Sequence, residues 1–135
     1  MSKSSTHHDS SRFRYKPEFR FKKRSDFARM ERADVRLHTR PFLLVVAPSP
    51  TSESRLGIII TKRIDKRAVV RNRIRRRVRE IFRHYRADLK QPLDILVIAR
   101  KAALSCPFSV MQRQTVAALR RHGYLSSDFR QNFRE

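Results

Sequence analysis

Ala68-Val-Val-Arg-Asn-Arg-Ile-Arg-Arg-Arg-Val-Arg-Glu-Ile-Phe-Arg-His-Tyr-Arg-Ala-Asp-Leu89 carries two patterns at once. Val70, Ile74, Val78, Ile81, Phe82, Tyr85 and Leu89 recur at spacings of three and four, which is an apolar stripe on a helix. With Ile74 at the centre of that stripe, Asn72, Arg75, Arg76, Arg79, Arg83 and Arg86 fall within an arc of about 100° on the far side. The spacing predicts one helix from about Ala68 to Leu89. Its apolar face packs on something flat, and its other face is a continuous cationic ridge.

The flanking sequence supplies the flat partner. Phe42-Leu-Leu-Val-Val-Ala47 and Leu56-Gly-Ile-Ile-Ile-Thr61 are apolar and β-branched, and Pro48 to Ser54 between them is loop chemistry, so they read as a strand pair with a long connection. A weaker edge strand is expected at Val35 to His38, and a further strand at Leu93 to Ile98, after Pro92. Runs this continuously apolar imply helices over at least one face of the sheet. Ser25 or Asp26 is expected to cap a short helix, Asp26 to Ala33, with Phe27 and Met30 on one face. A last helix is expected from about Pro107 to Arg121, with Ser105 or Cys106 at its cap, Val110, Gln114, Ala117 and Ala118 near one face, and Gly123 ending it. The class is α+β with a small mixed sheet. One domain, residues 18–122, is expected between a flexible basic arm, 1–17, and a polar tail, 123–135. No internal repeat is visible.

Charge narrows the function. The chain has 135 residues, 39% of them apolar, and 33 Lys and Arg against 12 Asp and Glu give a formal charge of +21. A self-repulsion of that size points to a polyanionic partner. A spanning helix is excluded, since no window approaches the roughly 18 consecutive apolar residues it needs. The start has no apolar segment after its charges, so it is not read as a secretory signal, and the expected location is the cytoplasm.

Residues 62 to 86 hold twelve Lys or Arg and only two acids, Asp65 and Glu80. Solvated helix faces usually interleave signs at i, i+4, whereas this one repeats Arg at i, i+3 and i, i+4 and repels itself. Arg67, Arg71 and Arg73 crowd the helix start, where the macrodipole already disfavours cations. A phosphate there reverses the sign of each of these terms. Together with Lys62 and Arg63, the ridge predicts a nucleic-acid interface, and the predominance of Arg suits phosphate forks and stacking on unpaired bases.

Bond-breaking chemistry finds little support. Glu80 is read as a partner of Arg76, Arg77, Arg83 or His84, and Asp94 stands alone in a strand. The acids are scattered, where a metal nuclease needs them clustered. Two glycines in the whole chain leave no Gly-rich phosphate loop. Cys106 is the only cysteine and is read as a small hydrophobe, and His7 and His8 lack neighbouring metal ligands. No catalytic or metal-binding residue is therefore assigned. Phe19, Phe21 and Phe27 interleave with Arg20, Lys22, Lys23 and Arg24, as in stacking sites for single strands, or fill the core; for Phe42 the same two readings stay open.

The string Ala68 to Glu80 resembles the signature of the ribonuclease P protein family, roughly A-V-x-R-N-R-I-K-R-x-x-R-E. It matches at Arg71, Asn72, Arg73, Ile74, Arg76, Arg79 and Glu80, with Arg75 for the usual Lys. Gly57 to Arg63, Asp94 to Lys101, Phe19 to Phe21 and Asp26-Phe27 resemble other parts of the family, so that about residues 17 to 122 are covered. The resemblance implies an α-β-β-β-α-β-α sandwich with a central mixed sheet and a left-handed βαβ crossover, against the usual right-handed rule. It also implies that Arg71, Asn72, Arg73, Arg76 and Arg79 meet the catalytic ribonuclease P RNA, one protein per RNA. Phe27, Phe42 and Lys62, with Phe21 beside them, would line a cleft between the first helix and the sheet that holds the 5′ leader of precursor tRNA. The protein would bind no cofactor, and Mg²⁺ would serve at the RNA active site. Glu31 stands where the family often has a second aromatic, Arg77 where it has Leu, and Thr61 where it has Ser. Two other readings are weighed, a structural RNA-binding protein of the ribosome type and an autonomous metal nuclease.

Overall fold

Strand β4 (Leu93–Ala99) is buried at six of its seven positions, and the rest of the fold is arranged on either side of it. The computed structural model describes residues 19–21 and 23–126. In chain order these form α1 (Arg24–Glu31), β1 (Val35–His38), β2 (Phe42–Pro48), β3 (Arg55–Ile59), α2 (Ala68–Tyr85), β4, and α3 (Phe108–Arg121). The basic arm expected over residues 1–17 and most of the expected tail lie outside the described residues.

The sheet order is β1-β2-β4-β3. Strands β1 and β2 pair antiparallel with Leu37 opposite Leu44, β2 and β4 antiparallel with Val45 opposite Leu96, and β3 and β4 parallel with Gly57 opposite Leu96. The expected β2–β3 pair is therefore corrected, because β4 inserts between them. A strand this apolar on both faces needs a neighbour along each edge, and the loop after Pro48 is long enough to carry the chain across it. Parallel β3 and β4 require a crossover, and α2 is that crossover.

The sheet's two faces are covered unequally. Leu37, Phe42, Leu44, Val46, Leu56, Leu93, Ile95 and Val97 face α2 and α3 in the main core, which also takes Phe19, Met111, Val116 and Leu119. Val45 and Leu96 face the other way, against Phe21 and Met30, with Phe27, Leu43, Ala47, Ile59 and Ile98 half-buried around them.

Helix α2 buries Val70, Ile74, Val78, Ile81, Phe82 and Tyr85, the stripe its periodicity predicts. It stops at Tyr85 rather than Leu89, through a tighter turn at Arg86–Asp88, because Leu89 leaves the helix to bridge Leu125. Helix α3 corrects its expected face. It buries Met111, Gln112, Thr115, Val116, Ala118 and Leu119, and the polar Gln112 and Thr115 disguise that stripe in the sequence. Gly123, at φ 82°, ends it in the left-handed conformation that glycine adopts without strain. Leu125 is buried in the core and Lys90 N–H donates to Tyr124 O at 3.0 Å, so packing continues past the expected boundary at His122. Helix α1 starts two residues before the expected Asp26, and the Asp26 carboxylate reaches back from inside the first turn to accept Lys23 N–H at 3.1 Å.

Asp94 is not alone. Fully buried, it accepts Arg55 Nε at 3.0 Å and Arg55 Nη2 at 2.7 Å, and it also receives Arg29 from α1. Arg55 Nη2 further reaches Asp26 Oδ1 at 3.3 Å. The hydrogen bonds that Arg55 donates to Asp94 raise its pKa above the ordinary value, so the guanidinium stays charged. Removing one member of such a pair strands the other. Asp94→Ala is expected to cost about 3–5 kcal/mol of unfolding free energy, and the paired change Arg55→Met with Asp94→Leu less than that, both read by urea denaturation.

Candidate nucleic-acid interface

The ridge begins with a loop that Asp65 organises. Its carboxylate accepts Arg67 N–H at 2.9 Å, Arg67 Nε at 3.0 Å and Arg67 Nη2 at 2.9 Å. Arg71 Nη1 then closes the loop from the first turn of α2, donating to Asp65 O at 2.9 Å and Lys66 O at 2.8 Å. The side chain and backbone hydrogen bonds from Arg67 lower the Asp65 pKa to about 2. With no acid in the first turn of α2, this ionised carboxylate is what offsets the positive helix end.

Along α2 the predicted residues divide by how free they are. Lys62, Arg63, Arg67, Asn72, Arg73 and Arg76 are exposed, while Arg71, Arg75, Arg79 and Arg83 are half-buried. Arg75 Nη1 donates to Asn72 Oδ1 at 3.3 Å, and Arg83 Nη1 donates to Glu80 Oε1 at 2.6 Å, so Glu80 holds part of the ridge in register. Among the described residues neither Arg73 nor Arg76 meets a carboxylate. Arg86 leaves the ridge, because α2 has ended there. Its guanidinium lies 3.7 Å over the Phe19 ring and donates to Glu53 Oε1 at 2.8 Å. Of the predicted residues, Lys62, Arg63, Asn72, Arg73 and Arg76 are thus exposed, while Arg67 and Arg71 are drawn into the hydrogen bonds of the Asp65 loop.

A second surface lies on the sheet face that α1 covers only in part. Phe21 is 8% exposed and meets Phe27 edge to face, centroids 5.1 Å apart, while Arg55 lies 5.3 Å from the Phe21 ring. Gly57 permits this, since a Cβ there would collide with the Phe21 ring. Phe27 keeps one side open beside half-buried Leu43, Ile59 and Ile98, and Lys62 stands exposed in the turn beyond β3. Phe21 is therefore a floor under Phe27. Phe42 is a correction: at 1% exposure it lies on the opposite side of the sheet, beside Val78, Ile81 and Tyr85. Alternation along β2 sends Leu43 and Val45 toward α1 and Phe42 and Leu44 away from it.

Arg36 and His38, opposite Val45 and Leu43 in the register, flank the same face and were not anticipated. Arg100 Nη2 sits 2.5 Å from His38 Nδ1, and Arg36 Nη2 donates to Glu31 O at 3.1 Å. The alternation Val35-Arg-Leu-His38 was the available signal. Among the described residues no three His, Cys, Asp or Glu side chains gather as a metal site, and no helix is long and apolar enough to cross a membrane.

Residues 15–123 match the model of the Ribonuclease P family. The chain is 44% identical over 90 residues to the ribonuclease P protein component of Desulfatibacillum aliphaticivorans, covering 67% of this chain and 75% of that one. It is 37% identical over 101 residues to that of Desulfosudis oleivorans, covering 75% and 83%. The RNase P protein of Staphylococcus aureus superposes with a TM-score of 0.71 at 28% identity, over 80% of this chain and 98% of that one. The Thermotoga maritima protein gives a TM-score of 0.67 at 28% identity, over 76% and 96%.

Because folding depresses the Asp65 pKa, its contribution is complete above the unfolded value near 3.8 and is lost as pH falls through about 2. A carboxyl carbon NMR titration is expected to place its midpoint at about 2, with Arg67→Ala moving it back toward 3.8.

Proposed function

Since the chain belongs to the ribonuclease P protein family and is the protein component of that ribonucleoprotein endoribonuclease, partnered with ribonuclease P RNA, we propose a division of its surface between two RNAs. The α2 ridge and its Asp65 loop clamp the catalytic RNA. The half-open sheet face, with Phe27, Phe21, Lys62 and the basic residues Arg36 and His38 on β1, holds the single-stranded 5′ leader of precursor tRNA. One observation carries the reading: a helix that buries Val70, Ile74, Val78, Ile81, Phe82 and Tyr85 presents Arg73 and Arg76 exposed on its outer surface, and among the described residues neither meets a carboxylate.

The chemistry of each surface fits its RNA. The ridge offers guanidinium forks, which pair two N–H donors with two phosphate oxygens, along a rigid helix. The sheet face offers half-buried Phe27 beside a shallow apolar floor, where an unpaired base stacks without regard to sequence. The scattered acids leave no donor set for a catalytic metal on the described residues, so the proposal places Mg²⁺ with the RNA. It also takes one protein per RNA and a cytoplasmic location. The ribosome-type structural reading is not favoured by the family.

The deciding experiment is cleavage of a 5′-leadered precursor tRNA by cognate ribonuclease P RNA at low Mg²⁺, with and without the protein. Stimulation is expected, and the Arg71, Asn72 and Arg73 triple-alanine variant is expected to lose it; cleavage by the protein alone, or no stimulation, would refute the reading. Affinity for the RNA should fall linearly with salt on logarithmic axes, and Arg76→Ala should reduce that slope by about one phosphate contact. Phe27→Ala should weaken binding of leadered precursor by about 1–3 kcal/mol and leave leaderless tRNA unaffected. Phe42→Ala, by contrast, should lower stability by about 3–5 kcal/mol through the cavity it leaves.

A further inference from the structure

Between the middle of α2 and the first residue of α3 the surface opens into a cavity of about 470 Å³, lined by Arg73, Arg76, Arg77, Glu80 and Phe108. It lies across the sheet from Phe21 and Phe27, so it is no part of the face assigned to the leader. Its size falls within the range of small-ligand sites. Of its lining residues, neither Arg77 nor Phe108 is among the RNA contacts expected from the sequence.

Each wall is built differently. Arg73 and Arg76 are exposed and Arg77 half-buried, and among the described residues none of the three has an ion-pair partner. Phe108 packs one side against the main core, which fixes its ring. Glu80 is held by Arg83 at 2.6 Å, and His84 Nδ1 stands 3.7 Å from its other oxygen. A bare anion would explain the arginines but not a carboxylate and an aromatic ring in the same wall. A nucleotide explains all three. Its phosphate takes guanidinium forks, its base stacks on a ring, and an amino group on the base edge donates to a carboxylate.

We propose that this cavity receives one unstacked nucleotide of the bound RNA, with its phosphate on Arg73 and Arg76, its base against Phe108 and the amino edge of that base at Glu80. The inference deepens the ridge reading and rests on it. It turns a continuous electrostatic contact into one that also fixes position, because only a nucleotide already turned out of its helix can enter. It also prefers an amino-bearing base, cytosine for example, over uracil.

The chain contains no tryptophan, so Phe108→Trp places a single indole in the cavity. Titration of that variant with ribonuclease P RNA is expected to quench the indole emission by stacking. Phe108→Leu, which keeps the apolar packing and removes the ring, is expected to weaken RNA binding about fivefold or more. An unquenched indole together with wild-type affinity in Phe108→Leu would overturn the cavity while a binding-deficient Arg71, Asn72 and Arg73 triple-alanine variant left the ridge standing. A wild-type chain that does not bind the RNA overturns both. Equal quenching by micromolar cytidine monophosphate alone would overturn the assignment to RNA, by showing a site for free nucleotides.

Discussion

A carboxylate with no access to solvent sits near the start of the inner strand β4, and the placement of α1 and β3 answers the need to satisfy it. Asp94 cannot be buried uncompensated, so β3 brings Arg55 alongside and α1 brings Arg29. Asp26 then completes the set from the first turn of α1. Helix α1 is only eight residues long and has little intrinsic stability, so this ionic anchor, with Met30 and Phe27 on the sheet, is what places it. Its position in turn decides how much of that sheet face stays open.

The opposite face meets the contrary demand. There α2 and α3 close completely over Leu44, Ile95 and Val97, and the core contains the large rings of Phe42, Phe82 and Tyr85. That closure lets a helix bearing seven arginines between Arg71 and Arg83 exist in a protein already charged to +21. The apolar stripe outweighs the repulsion of the ridge, and the repulsion is relieved where the ridge meets an anion. The sheet thus separates a sealed side, whose outer helix carries charge, from a half-open side that offers rings and apolar floor.

Much of the candidate site was legible because helical periodicity is a local property. Knowing that Ile74 is buried places Arg73 and Arg76 outside, whatever else the chain does. The aromatic residues were another matter. Strands β2 and β4 are apolar at nearly every position, so alternation gives no sign of which side Phe42 takes. Gln112 and Thr115 likewise hid the buried face of α3, since polar side chains in a core contradict the pattern that sequence reading relies on.

By itself the sequence determined the elements, the α+β class and the cationic ridge, since each rests on residues near one another along the chain and on the sign of their charge. Only the tertiary structure decided that β4 lies between β2 and β3, that Arg55 and Arg29 answer Asp94, and that Arg86 turns away to cover Phe19. Strand pairing and buried ion pairs join residues far apart in sequence, as the separation of 39 positions from Arg55 to Asp94 illustrates. Their energy depends on desolvation, which exists only once the surrounding core has formed.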